Sequence, residues 1–277
     1  MHPILFRIPA FAIGSHFFPG FDIYTYGVAL SFAFAVAFWI ILIRAKKAGI
    51  PTETMSDLCF LLLFAGIVGS RLLFILEPIY HHHYSYIKHF WETFNLRQGG
   101  LSISGGLILA FISGTWFVRK KKLNFWKVGD VIAPALAVGM GLGRIGCFFN
   151  GCCVGVRSHL PIAFVFIGNP TYHGHRLPTQ LFELVLDLIA AIILLTRFKN
   201  AKPGVTFLWG AILVSAARFI VEFWRADRIQ EGPLTLVQWI CLATALAAAV
   251  FLVYLQRRSS ENSPADQAQV SVLAGKS

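Results

Sequence analysis

Three arginines, Arg71, Arg144 and Arg218, stand inside stretches of sequence otherwise built from apolar residues. An ionisable group in such a setting costs roughly 2.5–3.5 kcal/mol on membrane-insertion scales, which makes each one a candidate for binding or chemistry. Arg218, Glu222 and Arg225 are spaced i, i+4, i+7, so they share one face of a helix. Guanidiniums gathered at one place repel unless an anion lies between them. Glu222 can neutralise one of them. For the rest phosphate is the natural ligand, because the guanidinium fork matches its oxygens bidentately. Tyr26 and Glu222 are the side chains suited to exchanging a proton with a bound group. These residue types point to recognition of a phosphate joined to a group transfer.

The elements that must position them are membrane helices. Of 277 residues, 56% are hydrophobic and 13% charged, with 26 Phe and 7 Trp; the mean hydropathy is +0.66. Globular chains run near a quarter charged, so a soluble enzyme, a disulfide-stapled secreted domain and a nucleic-acid binder are excluded. A helix needs roughly 17–25 apolar residues to cross a bilayer core. Seven stretches qualify: Tyr26–Ile43, Leu58–Leu76, Leu101–Val118, Val131–Asn150, Pro178–Leu195, Val205–Trp224 and Leu234–Leu255. The expected fold is an all-α integral membrane protein with one membrane domain over 1–257. Residues 258–277, rich in Ser, Asn, Asp and Gln, are expected to form a disordered cytoplasmic tail. The N-terminus lacks a basic segment ahead of an apolar run and is broken by Pro3, Pro9 and Pro19, so no cleavable signal peptide is expected.

Charge sets the threading. With the N-terminus outside, fourteen of the 24 Lys and Arg fall on the inner side, seven on the outer side and three within spans. Lys and Arg mark the cytoplasmic side, so the orientation is N-out, C-in. Spans two, four and six then run outward, with Arg71, Arg144 and Arg218 in their last thirds. Tyr26, Ser102, Ser104, Gln180, Glu183 and Gln238 fall in the first turns of the other four. Every span therefore brings polar groups to the depth of the outer leaflet. Arg225 reads equally well as an interfacial anchor, Asp57 and Asp130 read as helix caps, and Asp187, midway along span five, has no assigned role.

A site facing outward has no ATP, and the chain has no GxxxxGK[ST] loop. The GxGxxG from Gly141 to Gly146 lies inside an apolar span with no strand before it, so the dinucleotide reading fails. Gly139, Gly141, Gly143 and Gly146 read instead as close helix packing. A group transfer must draw on energy already in its substrate, and a phospholipid head-group bond meets that need. Arginines would stabilise the leaving phosphate.

The order and spacing of these motifs resemble the prolipoprotein diacylglyceryl transferase family over nearly the whole chain. The resemblance runs from Tyr26-Gly27 through Gly69-Ser70-Arg71 and Gly99-Gly100-Leu101-Ser102-Ile103-Ser104-Gly105-Gly106. It continues through Gly143-Arg144-Ile145, Asn150-Gly151, Gly155 and Pro178-Thr179-Gln180-Leu181-Phe182-Glu183. It closes on Arg218-Phe219-Ile220-Val221-Glu222-Phe223-Trp224-Arg225. The resemblance implies a seven-helix fold in the bacterial cytoplasmic (inner) membrane. It implies transfer of diacylglycerol from phosphatidylglycerol to the lipobox cysteine thiol of a prolipoprotein, with release of sn-glycerol-1-phosphate and no cofactor. It implies a catalytic set of Tyr26, Arg218 and Glu222. The substrate-binding set is Arg144, Arg71, Ser104, Asn150, Gly155 and Gln180. Three positions depart from the family pattern: Ser104 stands where His is usual, Cys147 where Asn is, and Cys152 where Glu is.

Those departures keep alternatives open: a paralogue using phosphatidylglycerol with another acceptor, or a membrane thiol oxidoreductase built on Cys147, Cys152 and Cys153. A transporter of anionic lipid would need polar residues along a path to the inner leaflet, and here they stop at one depth. The three cysteines read as packing, as a disulfide from Cys147 to Cys152 or Cys153, or as a reactive thiol. With His81–His83 or His173 and His175 their spacing fits no zinc pattern, so no metal is expected. Cys59 and Cys241 read as packing residues.

Overall fold

The computed structural model describes residues 4–9, 11–13, 16–18, 20–80, 102–166, 173–198, 201–228 and 230–261. Gly99, Gly100 and Leu101 of the third-span motif, His81–His83 and residues 262–277 of the expected tail lie outside the described residues. Seven helices appear among the described residues, one for each predicted span. They are α1 (Thr25–Lys47), α2 (Thr52–Tyr80), α3 (Ile103–Lys120), α4 (Phe125–Asn150), α5 (Thr179–Arg197), α6 (Val205–Glu222) and α7 (Leu236–Glu261). Six of them are long and apolar enough to cross a bilayer; α3, 18 residues interrupted by Gly and Ser and ending in Arg119 and Lys120, is the weakest.

Burial departs from that of a soluble protein, although small and aliphatic residues such as Met55, Leu58 and Leu194 still fill the interior. Trp39, Phe64, Leu107, Leu246 and Val250 are exposed, whereas Thr179, Gln180, Glu183, Asp187, Glu222, Arg225 and Gln238 are buried. Apolar side chains outward and polar ones inward is the arrangement lipid demands, so the chain is a multi-pass membrane protein.

Several helices outrun their apolar cores. α2 begins at Thr52 rather than Leu58, and α4 at Phe125 rather than Val131, because polar residues continue a helix outside the hydrocarbon region. α7 likewise runs past Arg258 to Glu261. Asp57 is therefore exposed beyond the first turn of α2 and is no cap. Asp130 caps a different helix from its own: its Oδ2 accepts from the Gly204 N–H at 2.6 Å and its Oδ1 from the Phe207 N–H at 2.8 Å. Those amides open α6, where no intrahelical acceptor exists.

Short antiparallel strand pairs join the helices. They are β1 (Ile4–Ile8) with β4 (Phe21–Tyr24), β2 (Phe11–Ile13) with β3 (His16–Phe18), β5 (Phe164–Val165) with β6 (His175–Arg176), and β7 (Gln230–Glu231) with β8 (Leu234–Thr235). Arg7 faces Asp22 across β1 and β4 at 2.6 and 3.0 Å, and its guanidinium holds the Asp22 carboxyl below the usual range.

The chain divides into two compact units, Met1–Trp39 with Gly129–Ser277, and Ile40–Val128. In the second unit α2 and α3 cross at glycines. A side chain on Gly69 would meet the Gly105 carbonyl, one on Gly105 would meet that of Gly69, and one on Gly114 would come within 2.9 Å of Leu62. In the first unit the glycine run of α4 packs as expected. Gly139 faces Ala33 and Ala37, and Gly146 faces Tyr26 and Ala29 of α1, while Gly141 turns toward Leu184 and Asp187 of α5. Small residues let such backbones approach without a side chain between them.

Candidate active site

The first unit gathers the charged residues of α4, α5 and α6 into one chain of ion pairs. Arg144 of α4 bonds the Glu183 carboxylate of α5. Arg218 of α6 reaches the same carboxylate at 3.2 Å and places its other nitrogen 3.0 Å from Glu222, one turn along its own helix. Arg225 follows, 3.7 Å from Glu222, and closes on Asp227 at 2.7 and 3.0 Å. The order is strictly alternating, Arg144, Glu183, Arg218, Glu222, Arg225, Asp227. The anion that must separate Arg144 from Arg218 is thus a carboxylate of the protein. Glu183 is 2% exposed, while the two arginine side chains keep 20% and 22% exposure, so neither arginine is sealed off as the carboxylate is.

The lower part of this chain opens into a cleft of about 220 Å³ lined by Arg218, Glu222, Arg225, Asp227, Thr235 and Leu236. Thr235 donates its hydroxyl to Glu222 at 3.3 Å and accepts the Gln238 N–H at 3.2 Å, while the Gln238 side chain accepts the Thr235 N–H at 3.0 Å. This reciprocal pair caps the start of α7 in the manner of a capping box. Burial works against the charge of Arg225, but Asp227 and Cys153 hold its guanidinium above the ordinary arginine range.

The segment after α4 forms a strap over the same place. Val156 N–H bonds the Trp224 carbonyl at 2.8 Å and Ala226 N–H bonds that of Val154 at 3.0 Å, while Gly155 N–H bonds the Leu177 carbonyl at 2.9 Å. Gly155 is pressed so closely that an added Cβ would lie 2.8 Å from both Leu177 Cβ and its carbonyl oxygen. Asn150 ends α4, exposed. Gln180 is buried in the first turn of α5 and donates its amide to the Cys152 carbonyl at 2.7 Å; Thr179 donates its hydroxyl to the Cys153 carbonyl at 2.8 Å. Tyr26 is half-exposed against Gly146.

The structure therefore brings Arg144, Arg218 and Glu222 together. It sets Gln180 and Gly155 in the adjoining strap, and Tyr26 beside the helix that carries Arg144. Arg71 and Ser104 belong to the other unit, where buried Arg71 lies over the Phe74 ring at 5.4 Å and Ser104 is exposed near the start of α3. Sequence reasoning noticed Glu183 as a polar residue in a first turn and as the end of a family motif, without a role, and left Asp187 without one too. Both are buried, one turn apart on α5, and Asp187 Oδ2 has no hydrogen-bond partner among the described residues. Two carboxylates at i, i+4 inside an apolar span were the available signal. Asp227, in a loop, and Thr235, in β8, carried none, because neither position reveals what it folds against.

Cys147, Cys152 and Cys153 are free, half-buried thiols whose sulfurs all lie within 4.8 Å of one another. The Cys152 thiol donates to the Cys147 carbonyl at 3.7 Å, and the neighbouring Cys147 and Cys152, with Arg225 after them, hold the Cys153 thiol below its ordinary range. Among the described residues this is the grouping able to hold a metal ion.

Comparison with known proteins places these features in context. The family described as prolipoprotein diacylglyceryl transferase matches residues 13–254. A phosphatidylglycerol–prolipoprotein diacylglyceryl transferase of Bacillus cereus strain G9842 is 30% identical over 260 residues, covering 87% of this chain and 93% of the relative. The protein of that name from Bacillus cereus strain ATCC 14579 is 31% identical over 245 residues, covering 84% and 88%. The one from Bacillus thuringiensis subsp. konkukian strain 97-27 is 30% identical over 260 residues, covering 87% and 93%.

Proposed function

This chain belongs to the prolipoprotein diacylglyceryl transferase family, and on that premise we propose that it moves the diacylglyceryl group of phosphatidylglycerol onto the lipobox cysteine thiol of a prolipoprotein. It is a membrane transferase of lipoprotein biosynthesis. The cysteine sulfur forms a C–S bond to the glyceryl carbon, the C–O bond to phosphate breaks, and sn-glycerol-1-phosphate leaves. The site faces the outer leaflet of the bacterial cytoplasmic membrane, a reading supported by the N-out, C-in charge bias.

The observation that carries this reading is the pair of arginines, Arg144 and Arg218, fixed on one buried carboxylate with each side chain still about a fifth exposed. Donors held in place before substrate arrives stabilise charge that develops on a leaving phosphate without reorganising. Arg144 and Arg218 grip the head-group phosphate, and Glu222, lining the cleft, receives the thiol proton. Tyr26 borders the reacting centre from α1. Asn150 contributes to lipid binding, while Gln180 and Gly155 shape the strap.

A second reading keeps the lipid and changes the acceptor; it is favoured by Cys147 and Cys152 standing at positions where the family pattern has Asn and Glu. One experiment separates the two. Purified protein in phosphatidylglycerol proteoliposomes is given a lipobox peptide, and the peptide mass and released glycerol phosphate are followed, with Arg144→Ala as control. A diacylglyceryl mass gain that vanishes in the control is expected. Tight lipid binding with no peptide gain would select the second reading.

A further inference from the structure

The thiol cluster is more than a set of packing residues, because the backbone beneath it is held in an unusual shape. Gly151 turns the chain at φ 70°, and Cys153, which has a side chain, is also left-handed at φ 60°. Non-glycine residues adopt that conformation only where their surroundings over-determine it, most often at functional sites. Here the determinants are visible. The Cys152 N–H bonds the Cys147 carbonyl at 3.2 Å, Gln180 holds the Cys152 carbonyl and Thr179 holds that of Cys153. The reversal folds Cys152 and Cys153 back onto the last turn of α4, where Cys147 stands. Three sulfurs separated by five and six residues in sequence thereby become mutual neighbours.

We infer that Cys147, Cys152 and Cys153 form a three-thiolate zinc site whose open fourth position receives the acceptor thiol. Zinc–sulfur bonds of about 2.3 Å in a tetrahedron place sulfurs about 3.8 Å apart, so sulfurs now within 4.8 Å need close by no more than about 1 Å. Three protein ligands with one position left open is the pattern of catalytic rather than structural zinc. Zinc has no redox chemistry, which suits a transfer in which nothing is oxidised. A thiol entering the fourth position would become more acidic beside the ion, and Glu222 in the adjoining cleft would take its proton. Arg225, whose backbone bridges to Gly155 just past Cys153 and whose side chain pairs with Glu222, would balance the anionic zinc–thiolate centre and link it to the cleft. This role for the fourth position rests on the proposed function; the metal site itself does not. It also accounts for the departures from the family pattern at Cys147 and Cys152.

The test uses the full-length protein in phosphatidylglycerol micelles, purified under reducing conditions, with zinc content read by elemental analysis. One zinc per chain is expected, lost when all three cysteines are changed to Ser. Substituted Co²⁺ should show a sulfur-to-metal charge-transfer absorption that shifts when a lipobox peptide is added. Gln180→Ala, which removes only the clamp on the Cys152 carbonyl, should weaken zinc affinity about 10–100-fold while the protein stays folded. Zinc no higher than in the triple variant, copper(I) bound in place of zinc, or a disulfide persisting in the reduced protein would overturn the site. Undiminished transfer by zinc-free protein would overturn the role of the fourth position and leave the proposed function standing. A zinc-loaded protein that shifts the cobalt spectrum with peptide but transfers nothing would support the site and count against the proposed function.

Discussion

Replacing Glu183 by Gln removes the carboxylate on which Arg144 and Arg218 both rest, with almost no change of volume. At an effective dielectric of about 20, the 3.2 Å contact to Arg218 alone represents about 5 kcal/mol of gross attraction. Desolvation cancels part of that gain. Breaking a buried ion pair from one side nevertheless costs about 3–5 kcal/mol, because an uncompensated charge stays behind. Arg218 keeps Glu222 at 3.0 Å, but among the described residues Arg144 pairs with no second carboxylate. The arginine side chains are 20% and 22% exposed, which lets water soften the penalty, so about 3 kcal/mol is expected. The assay is reversible unfolding in mixed detergent followed by circular dichroism, run as a cycle with Arg144→Met. The double variant should recover about 1 kcal/mol or more relative to additivity. A Glu183→Gln protein within about 0.5 kcal/mol of the parent, or strict additivity in the cycle, would refute the account of Glu183 as the centre of the ion-pair chain.

Other substitutions test separate parts of the fold and site. Gly155→Ala forces a methyl group to within 2.8 Å of Leu177 and should cost about 1–3 kcal/mol by overpacking, read in the same unfolding assay. Asp130→Ala leaves the Gly204 and Phe207 amides without their acceptor and should lower stability by about 1–2 kcal/mol, with the transfer reaction retained at moderate temperature. Arg218→Lys keeps the charge but loses the planar fork; kcat for peptide modification should fall about 10²–10³-fold, and an unchanged kcat would remove Arg218 from the reaction.

The helices were legible because hydropathy reports what lipid can solvate. Each predicted span corresponds to a helix, but the starts at Thr52 and Phe125 were missed because hydropathy reports the bilayer rather than the helix. The glycine run of α4 was legible as packing, since small residues at helical spacing leave few other uses. The pairing of charges was only half visible. Arg218 and Glu222 share a helix, so their contact follows from spacing. Glu183 meets Arg144 and Arg218 from residues 39 and 35 positions away, and no local periodicity carries that information. Asp130 shows the same limit, its acidic side chain and position suggesting a cap without saying for which helix. The thiol cluster depends on a left-handed Cys153, a conformation that residue type argues against and that only the clamps from Thr179 and Gln180 make intelligible.

The most direct measurement is the mass of a lipobox peptide after incubation with the protein in liposomes of phosphatidylglycerol, set beside phosphatidylethanolamine liposomes and a peptide whose cysteine is replaced by serine. The predicted result is a gain of one diacylglyceryl group on the cysteine peptide, matched by equimolar glycerol phosphate and seen only with phosphatidylglycerol. Glycerol phosphate release without a peptide gain, or equal modification from either lipid, would contradict the account.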